Sequence, residues 1–154
     1  MNTKLLPLAF LECNDEEPIE GITRFMKLIF LAQREKLDQD FYRYEPGQYG
    51  PYSKSLYDDI DRLESEGFIR RRDEPTGDKK SDKQTYELTE KGERTLHRAR
   101  ELPGNEFPEA VDGLEAVKSQ YNEMDLWELL EHVYGEYPEM AKNSVLDIST
   151  GRAV

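Results

Sequence analysis

A capped helix that runs straight into a basic hairpin is the feature that most limits what this chain can become. Leu56, Ile60 and Leu63 form one apolar stripe at helical spacing, Ser53 stands at the N-cap position, and Gly67 stands where the helix must stop. Phe68-Ile69-Arg70-Arg71-Arg72 has strand composition, Asp73 to Asp82 is a polar tip holding Pro75 and Gly77, and Gln84-Thr85-Tyr86-Glu87-Leu88 returns as a second strand. Thr89 then caps a further helix from Glu90 to about Leu102, with Leu96 and Ala99 on its inner side. A helix, a ribbon and a helix in such close succession must share one small core.

The flanking segments supply the rest of that core. Thr3 to Glu12 predicts a largely buried first helix, and Asn14 to Glu17 a polar turn. Pro18 fits a first helical turn, after which Ile22, Phe25, Met26, Ile29, Leu31 and Ala32 recur at helical spacing to about Arg34. Phe41-Tyr42-Arg43-Tyr44 alternates like a short strand, and Pro46 to Pro51 reads as a turn-rich loop. Beyond Pro103-Gly104-Asn105, two more helices are expected. Pro108 to Tyr121 carries Val111, Leu114 and Val117; Asp125 to Tyr134 carries Leu126, Leu129, Leu130 and Val133, with Trp127, Tyr137 and Met140 beside them. The expected class is mainly α with a small β-hairpin: a winged helix-turn-helix domain over residues 1–102, a helical extension over 103–147 that packs on the core or on a partner subunit, and a frayed tail over 148–154.

Leu63-Glu64-Ser65-Glu66-Gly67-Phe68-Ile69 resembles the end of a recognition helix entering a wing. Tyr86-Glu87-Leu88-Thr89-Glu90-Lys91-Gly92 resembles the second wing strand entering the next helix, as in MarR-like and PadR-like regulators. A narrower resemblance lies in Phe25-Met26-Lys27-Leu28-Ile29-Phe30-Leu31-Ala32 followed by Tyr49-Gly50-Pro51-Tyr52-Ser53, which is similar to YwgA-like proteins and, more loosely, to SocA-like (Panacea) antitoxin domains. These resemblances imply a winged-helix core that acts as a DNA-binding regulator, an antitoxin or an adaptor, and they imply no catalytic residues.

Net charge is −12, which opposes contact with phosphate unless the charge is unevenly spread. It is uneven: residues 70–100 carry ten basic and seven acidic side chains, whereas residues 101–154 carry three and twelve. Double-stranded DNA would therefore meet the wing, through Arg70, Arg71, Arg72, Lys79, Lys80 and Lys83, with Lys91, Arg94, Arg98 and Arg100 extending the positive face onto the next helix. The third helix fits less well, because Asp58, Asp59, Asp61, Glu64 and Glu66 point outward on its turns. Base reading would fall to its N-terminal turn, Tyr52, Ser53, Lys54, Ser55 and Tyr57. The competing reading is a protein-interaction module that uses the acidic third helix and the aromatic loop. Gln48, Tyr49, Trp127 and Tyr134 are the candidate partner contacts.

Catalysis is not expected. His97 and His132 have no second ligand at metal-like spacing, and there is no glycine-rich phosphate loop or nucleophile elbow, so no metal or cofactor is called for. Cys13 is the only cysteine and fits a buried, inert thiol in a reducing compartment. The apolar start from Leu5 to Leu11 is too short to span a bilayer and lacks a basic leader, so a cytoplasmic, non-membrane protein is expected. Taken together, the leading expectation is a homodimeric DNA-binding transcriptional regulator whose C-terminal helices help to form the dimer.

Overall fold

The computed structural model describes residues 5–37, 40–74, 83–102, 107–147 and 152–153. In chain order the elements are α1 (Leu6–Glu16), β1 (Ile19–Glu20), α2 (Ile22–Glu35), β2 (Glu45–Gly47), β3 (Gly50–Tyr52), α3 (Lys54–Ser65), β4 (Ile69–Glu74), β5 (Lys83–Leu88), α4 (Glu90–Arg100), α5 (Phe107–Tyr121), α6 (Leu126–Glu136), a 3-10 turn at Pro138–Met140, β6 (Leu146–Asp147) and β7 (Arg152–Ala153). Helices dominate and the sheets are small and antiparallel, so the class is the expected winged helix.

Local chemistry sets the boundaries of the central motif. Ser53 Oγ accepts from the Leu56 amide at 3.2 Å and starts α3, while Thr89 Oγ1 accepts from the Gly92 amide at 3.1 Å and starts α4. Asp125 does the same for α6 through the Trp127 amide. The Thr89 hydroxyl also donates to the Gly67 carbonyl, which ties the end of α3 to the start of α4 across the base of the ribbon. At Gly92 the backbone passes so close that a Cβ would lie 2.4 Å from the Phe68 carbonyl oxygen and 2.6 Å from Leu88 Cδ1.

The first helix ends where expected: its right-handed part stops before Cys13, and Asn14, Asp15 and Glu16 follow with φ of 57°, 55° and 60°. Other expected boundaries move. Pro18 does not open α2: Ile19 and Glu20 pair instead with Tyr86 and Thr85, so the wing is a three-stranded sheet in the order β1-β5-β4 rather than a lone hairpin. The strand expected at Phe41–Tyr44 lies later, at Glu45–Gly47, and it pairs with Gly50–Tyr52 around a Gln48-Tyr49 turn. What looked like a turn-rich loop is therefore a tight hairpin. Gln33 explains the shift, because its side chain binds the chain at residues 41–42 as a neighbouring strand would. Its Oε1 accepts from the Phe41 and Tyr42 amides at 3.0 and 2.8 Å, and its Nε2 donates to the Tyr42 carbonyl at 3.1 Å. Gly50 closes the hairpin at φ +91°, facing the Tyr134 ring, where a Cβ would come within 2.7 Å of Cε1.

One apolar core spans both halves of the chain. Phe10, Phe25, Ile29 and Phe30 of α1 and α2 share it with Leu56 and Ile60 of α3, Leu96 of α4, Leu114, Val117 and Tyr121 of α5, and Leu129 and Val133 of α6. Cys13 belongs to this core, with its thiol donating to the Ala9 carbonyl and pushed up to about 12 by burial. At the end of the chain, Leu146 and Asp147 pair with Ala153 and Arg152. The rest of the tail expected to fray lies outside the described residues. Among the described residues, no helix is long and apolar enough to cross a membrane.

Replacing Gly92 with Ala should cost about 1–3 kcal/mol through overpacking against backbone. The same change at Gly135 in α6, where nothing stands within 4 Å of the new Cβ, should be neutral or stabilising by up to about 1 kcal/mol. Denaturant melts of the two variants check the contrast, which comparable losses at both positions would contradict.

Candidate nucleic-acid interface

Charge on the wing alternates with the pleat. Ile69 and Arg71 lie on the face toward the core, where Arg71 Nε stands 3.3 Å from Glu64 Oε1 of α3 and opposite Tyr86. Arg70 and Arg72 lie on the other face, more than half exposed, and both hold Glu87: Nε of each sits 3.1 and 2.9 Å from the same Oε1. Two guanidiniums on one carboxylate leave a net positive charge at the surface. Arg71 has a different task, since its pKa is raised by hydrogen bonding to Tyr86 and it joins the wing to α3. Lys79 and Lys80 lie outside the described residues. Lys83 is placed only as the first residue of β5, opposite Glu74.

The positive face expected along α4 is smaller than its composition suggests. Lys91 donates to the Glu66 carbonyl at 2.7 Å, completing the C-terminus of α3, and lies 4.6 Å from the centre of the Phe68 ring. Arg100 is paired with Glu12 of α1, and Arg94 stands 4.0 Å from Glu90. Beside them the Glu16 carboxyl is raised to about 7, first by its hydrogen bond with Glu93 and then by burial. Arg98 is exposed.

On α3 the acidic face is also partly engaged. Asp59 accepts from the Tyr42 hydroxyl at 2.8 Å, Glu64 holds Arg71, and Asp58 pairs with Lys54 at 3.0 Å, which leaves Asp61 and Glu66 as exposed carboxylates outside these pairs. The N-terminal turn divides in two. Ser53 is fully buried and its hydroxyl is spent on the cap, so it does not face outward. Lys54, Ser55 and Tyr57 are exposed, and Tyr52, in β3, lies with its ring centre 6.5 Å from that of Tyr57. Tyr49, at the hairpin tip, is 49% exposed. Gln48 beside it accepts from the Val145 amide through its carbonyl. Among the other candidate contacts, Trp127 is 37% exposed on α6, whereas Tyr134 is half-buried, bonded to Ser144 and packed on Gly50.

Residues 35–98 match the model of the transcriptional regulator PadR-like family. The PadR-like segment runs from the last residue of α2 through β2, β3, α3 and the wing into α4, and it takes in less than half of the chain. That family is one of DNA-binding transcription regulators. The narrower likeness to YwgA-like and SocA-like proteins rests on residues 25–32 and 49–53 alone. No curated protein matches the chain.

Sequence reasoning missed a set of buried cations that position this surface. Lys27 is 3% exposed and its Nζ donates to the Pro51 carbonyl at 3.1 Å, anchoring β3 just before α3 begins. Arg24 Nη1 reaches the carbonyls of Tyr121, Asn122 and Met124 at the end of α5. Lys118 Nζ reaches those of Phe10, Leu11 and Cys13 at the end of α1. The available signal was a basic residue inside an apolar helical run, as in Phe25-Met26-Lys27-Leu28. Among the described residues no group of three or more His, Cys, Asp and Glu is placed to hold a metal.

Burial alone lowers Lys27 from its ordinary 10.5 to about 7. The folded state therefore disfavours the ammonium, a penalty present in full below pH 7 and relieved as pH rises toward 10.5, where the unfolded chain still holds the proton and the folded one does not. Between about pH 7 and pH 10 the wild type should gain stability relative to Lys27→Met, by up to about 1.4 kcal/mol per pH unit. Urea titrations of both proteins at several pH values test this; a stability difference that is flat across that window would refute it.

Proposed function

We propose that this chain is a DNA-binding winged-helix transcriptional regulator that meets phosphates with Arg70 and Arg72 of the wing and base edges with Tyr52, Lys54, Ser55 and Tyr57 around the start of α3. The observation that carries the reading is the PadR-like match, which covers the capped helix and the wing together. The geometry supports a division of labour. Glu87 holds Arg70 and Arg72 side by side without neutralising both, so a phosphate can take over one guanidinium while the other keeps the carboxylate. Arg71 serves as a strut between wing and helix.

A second reading, a protein-interaction module, is favoured by one observation. Tyr49, Tyr52 and Tyr57 are large, exposed and adjacent to a groove, as aromatic anchors in a protein interface are. The homodimer belongs with the first reading: Leu126 and Trp127, each more than a third exposed on α6, offer an apolar patch for a second copy. The division into a winged-helix domain over 1–102 and an extension over 103–147 is part of the same proposal, with the extension serving as the dimer arm.

Fluorescence anisotropy with a random duplex and a duplex from upstream of the protein's own gene, across a salt series, tests the regulator. The Arg70→Glu, Arg72→Glu double variant should lose at least tenfold in affinity. The log–log salt slope of wild-type binding should be about −0.9 per phosphate contacted. Failure of the wild type to bind either duplex at low salt would remove the reading and direct attention to the tyrosine surface as a protein-binding face.

A further inference from the structure

The β2–β3 hairpin delivers the chain into α3, yet little holds it from within. It has three facing pairs, Glu45 with Tyr52, Pro46 with Pro51 and Gly47 with Gly50. A two-stranded ribbon of that size is marginal on its own in water, and proline has no N–H to give to a neighbouring strand. The carbonyls of the two facing prolines are met from outside instead. Lys27 Nζ of α2 donates to that of Pro51 at 3.1 Å, and Asn143 Nδ2, from the segment after α6, donates to that of Pro46 at 3.2 Å. The same segment holds the tip, where the Val145 amide donates to the Gln48 carbonyl at 2.9 Å. Tyr134 of α6 closes the remaining side, with its ring against Gly50 and its hydroxyl 2.6 Å from Ser144 Oγ. This segment is itself fixed to the core, because Tyr137 packs edge-to-face on Phe30 of α2 with ring centres 5.0 Å apart, and Met140 is buried. A hairpin that is marginal alone therefore takes its position from two parts of the chain, α2 and residues 134–145.

We infer that Tyr134 and residues 143–145 form a strap that positions the start of α3 for base reading, although they stand behind the hairpin and outside the segment matched to the PadR-like family. The base-reading role rests on the regulator reading, whereas the hold on the hairpin does not. Ser53 alone separates β3 from α3, so any shift of the hairpin passes to Tyr52, Lys54, Ser55 and Tyr57 with no loop to absorb it. Contacts that read base edges need placement within about 0.5 Å. Phosphate contacts made by long arginine side chains tolerate more and carry no sequence information. Slackening the strap therefore costs discrimination between sequences rather than general affinity for DNA.

The test uses the whole chain with Asn143→Ala and Val145→Pro combined, which removes one side-chain donor and one backbone N–H, and Gly135→Ala as the control on α6. Amide hydrogen exchange reads the strap without DNA. In the double variant the Gly47, Gly50 and Tyr52 amides should exchange at least tenfold faster, while those of Ile29 and Leu96 in the core stay unchanged. Fluorescence anisotropy then compares the upstream duplex with the random one. Affinity for the upstream duplex should fall at least fivefold and for the random duplex less than twofold, with the log–log salt slope unchanged. A mere loss of stability would lower both affinities together. Tyr134→Phe keeps the ring on Gly50 and gives up the bond to Ser144, so it should show the same pattern at smaller size, and it answers the question if the double variant does not fold. Gly135→Ala should match the wild type throughout. Unchanged exchange in the hairpin, an equal loss on both duplexes, or an undiminished preference for the upstream duplex would overturn the strap. A wild type that binds neither duplex sinks the regulator, and one that binds both equally sinks base reading; in either case the exchange rates alone decide whether the strap holds the hairpin.

Discussion

Buried cations held by main-chain carbonyls are the interaction on which the rest of this structure depends. Lys118, 1% exposed, gathers three carbonyls where α1 ends, and Arg24, 7% exposed, gathers three where α5 ends. The last carbonyls of a helix have no partner within it and carry the negative end of its dipole, so a cation placed there meets a need that exists already. Each helix is in this way ended by a side chain from a distant part of the sequence. The arrangement substitutes for ion pairs: bonds to a charged donor are worth about 1.5–3 kcal/mol each, against a desolvation cost of several kcal/mol per ion. Burial still leaves its mark, lowering Lys118 to about 8 despite the nearby Cys13, Glu17 and Glu16.

These clamps explain how an acidic chain builds a partly basic surface. Most of its carboxylates remain in water, while several of its cations are drawn inward to complete helix ends, as Lys91 completes α3 at the surface. On the outer face of the wing, Arg70 and Arg72 share the single carboxylate of Glu87. Tertiary demand for cations inside withdraws Arg24, Lys27 and Lys118 from that surface.

The fold was legible in the sequence where its determinants are local. Ser53, Thr89 and Asp125 act as caps within three residues of the amides they bind, and Gly67, at φ +85°, ends α3 where its position predicted. The misplaced elements have distant causes. Phe41–Tyr42 is extended but pairs with the Gln33 side chain instead of a strand, and no periodicity encodes that substitution. Ile19–Glu20 becomes a strand only because Tyr86 and Thr85 offer it an edge. For the candidate interface, composition located the basic ribbon but could not say that Arg71 turns to Glu64 of α3 while Arg70 and Arg72 share Glu87, since that depends on pleat and register. Lys27 and Lys118 escaped notice because a lysine within an apolar run looks like a solvated position until the facing carbonyls are placed.

The short strand β1 has a mechanical consequence. It pairs with β5 at Tyr86 and Thr85, opposite Arg71 and Arg72, and Gly21 extends the contact by donating to the Gln84 carbonyl, so the root of the wing is three strands wide and anchored to the turn after α1. Bending stiffness rises with the number of bonded strands, so the root of the wing is its stiff part. The two outward arginines sit on that stiff root, at a fixed reach from α3.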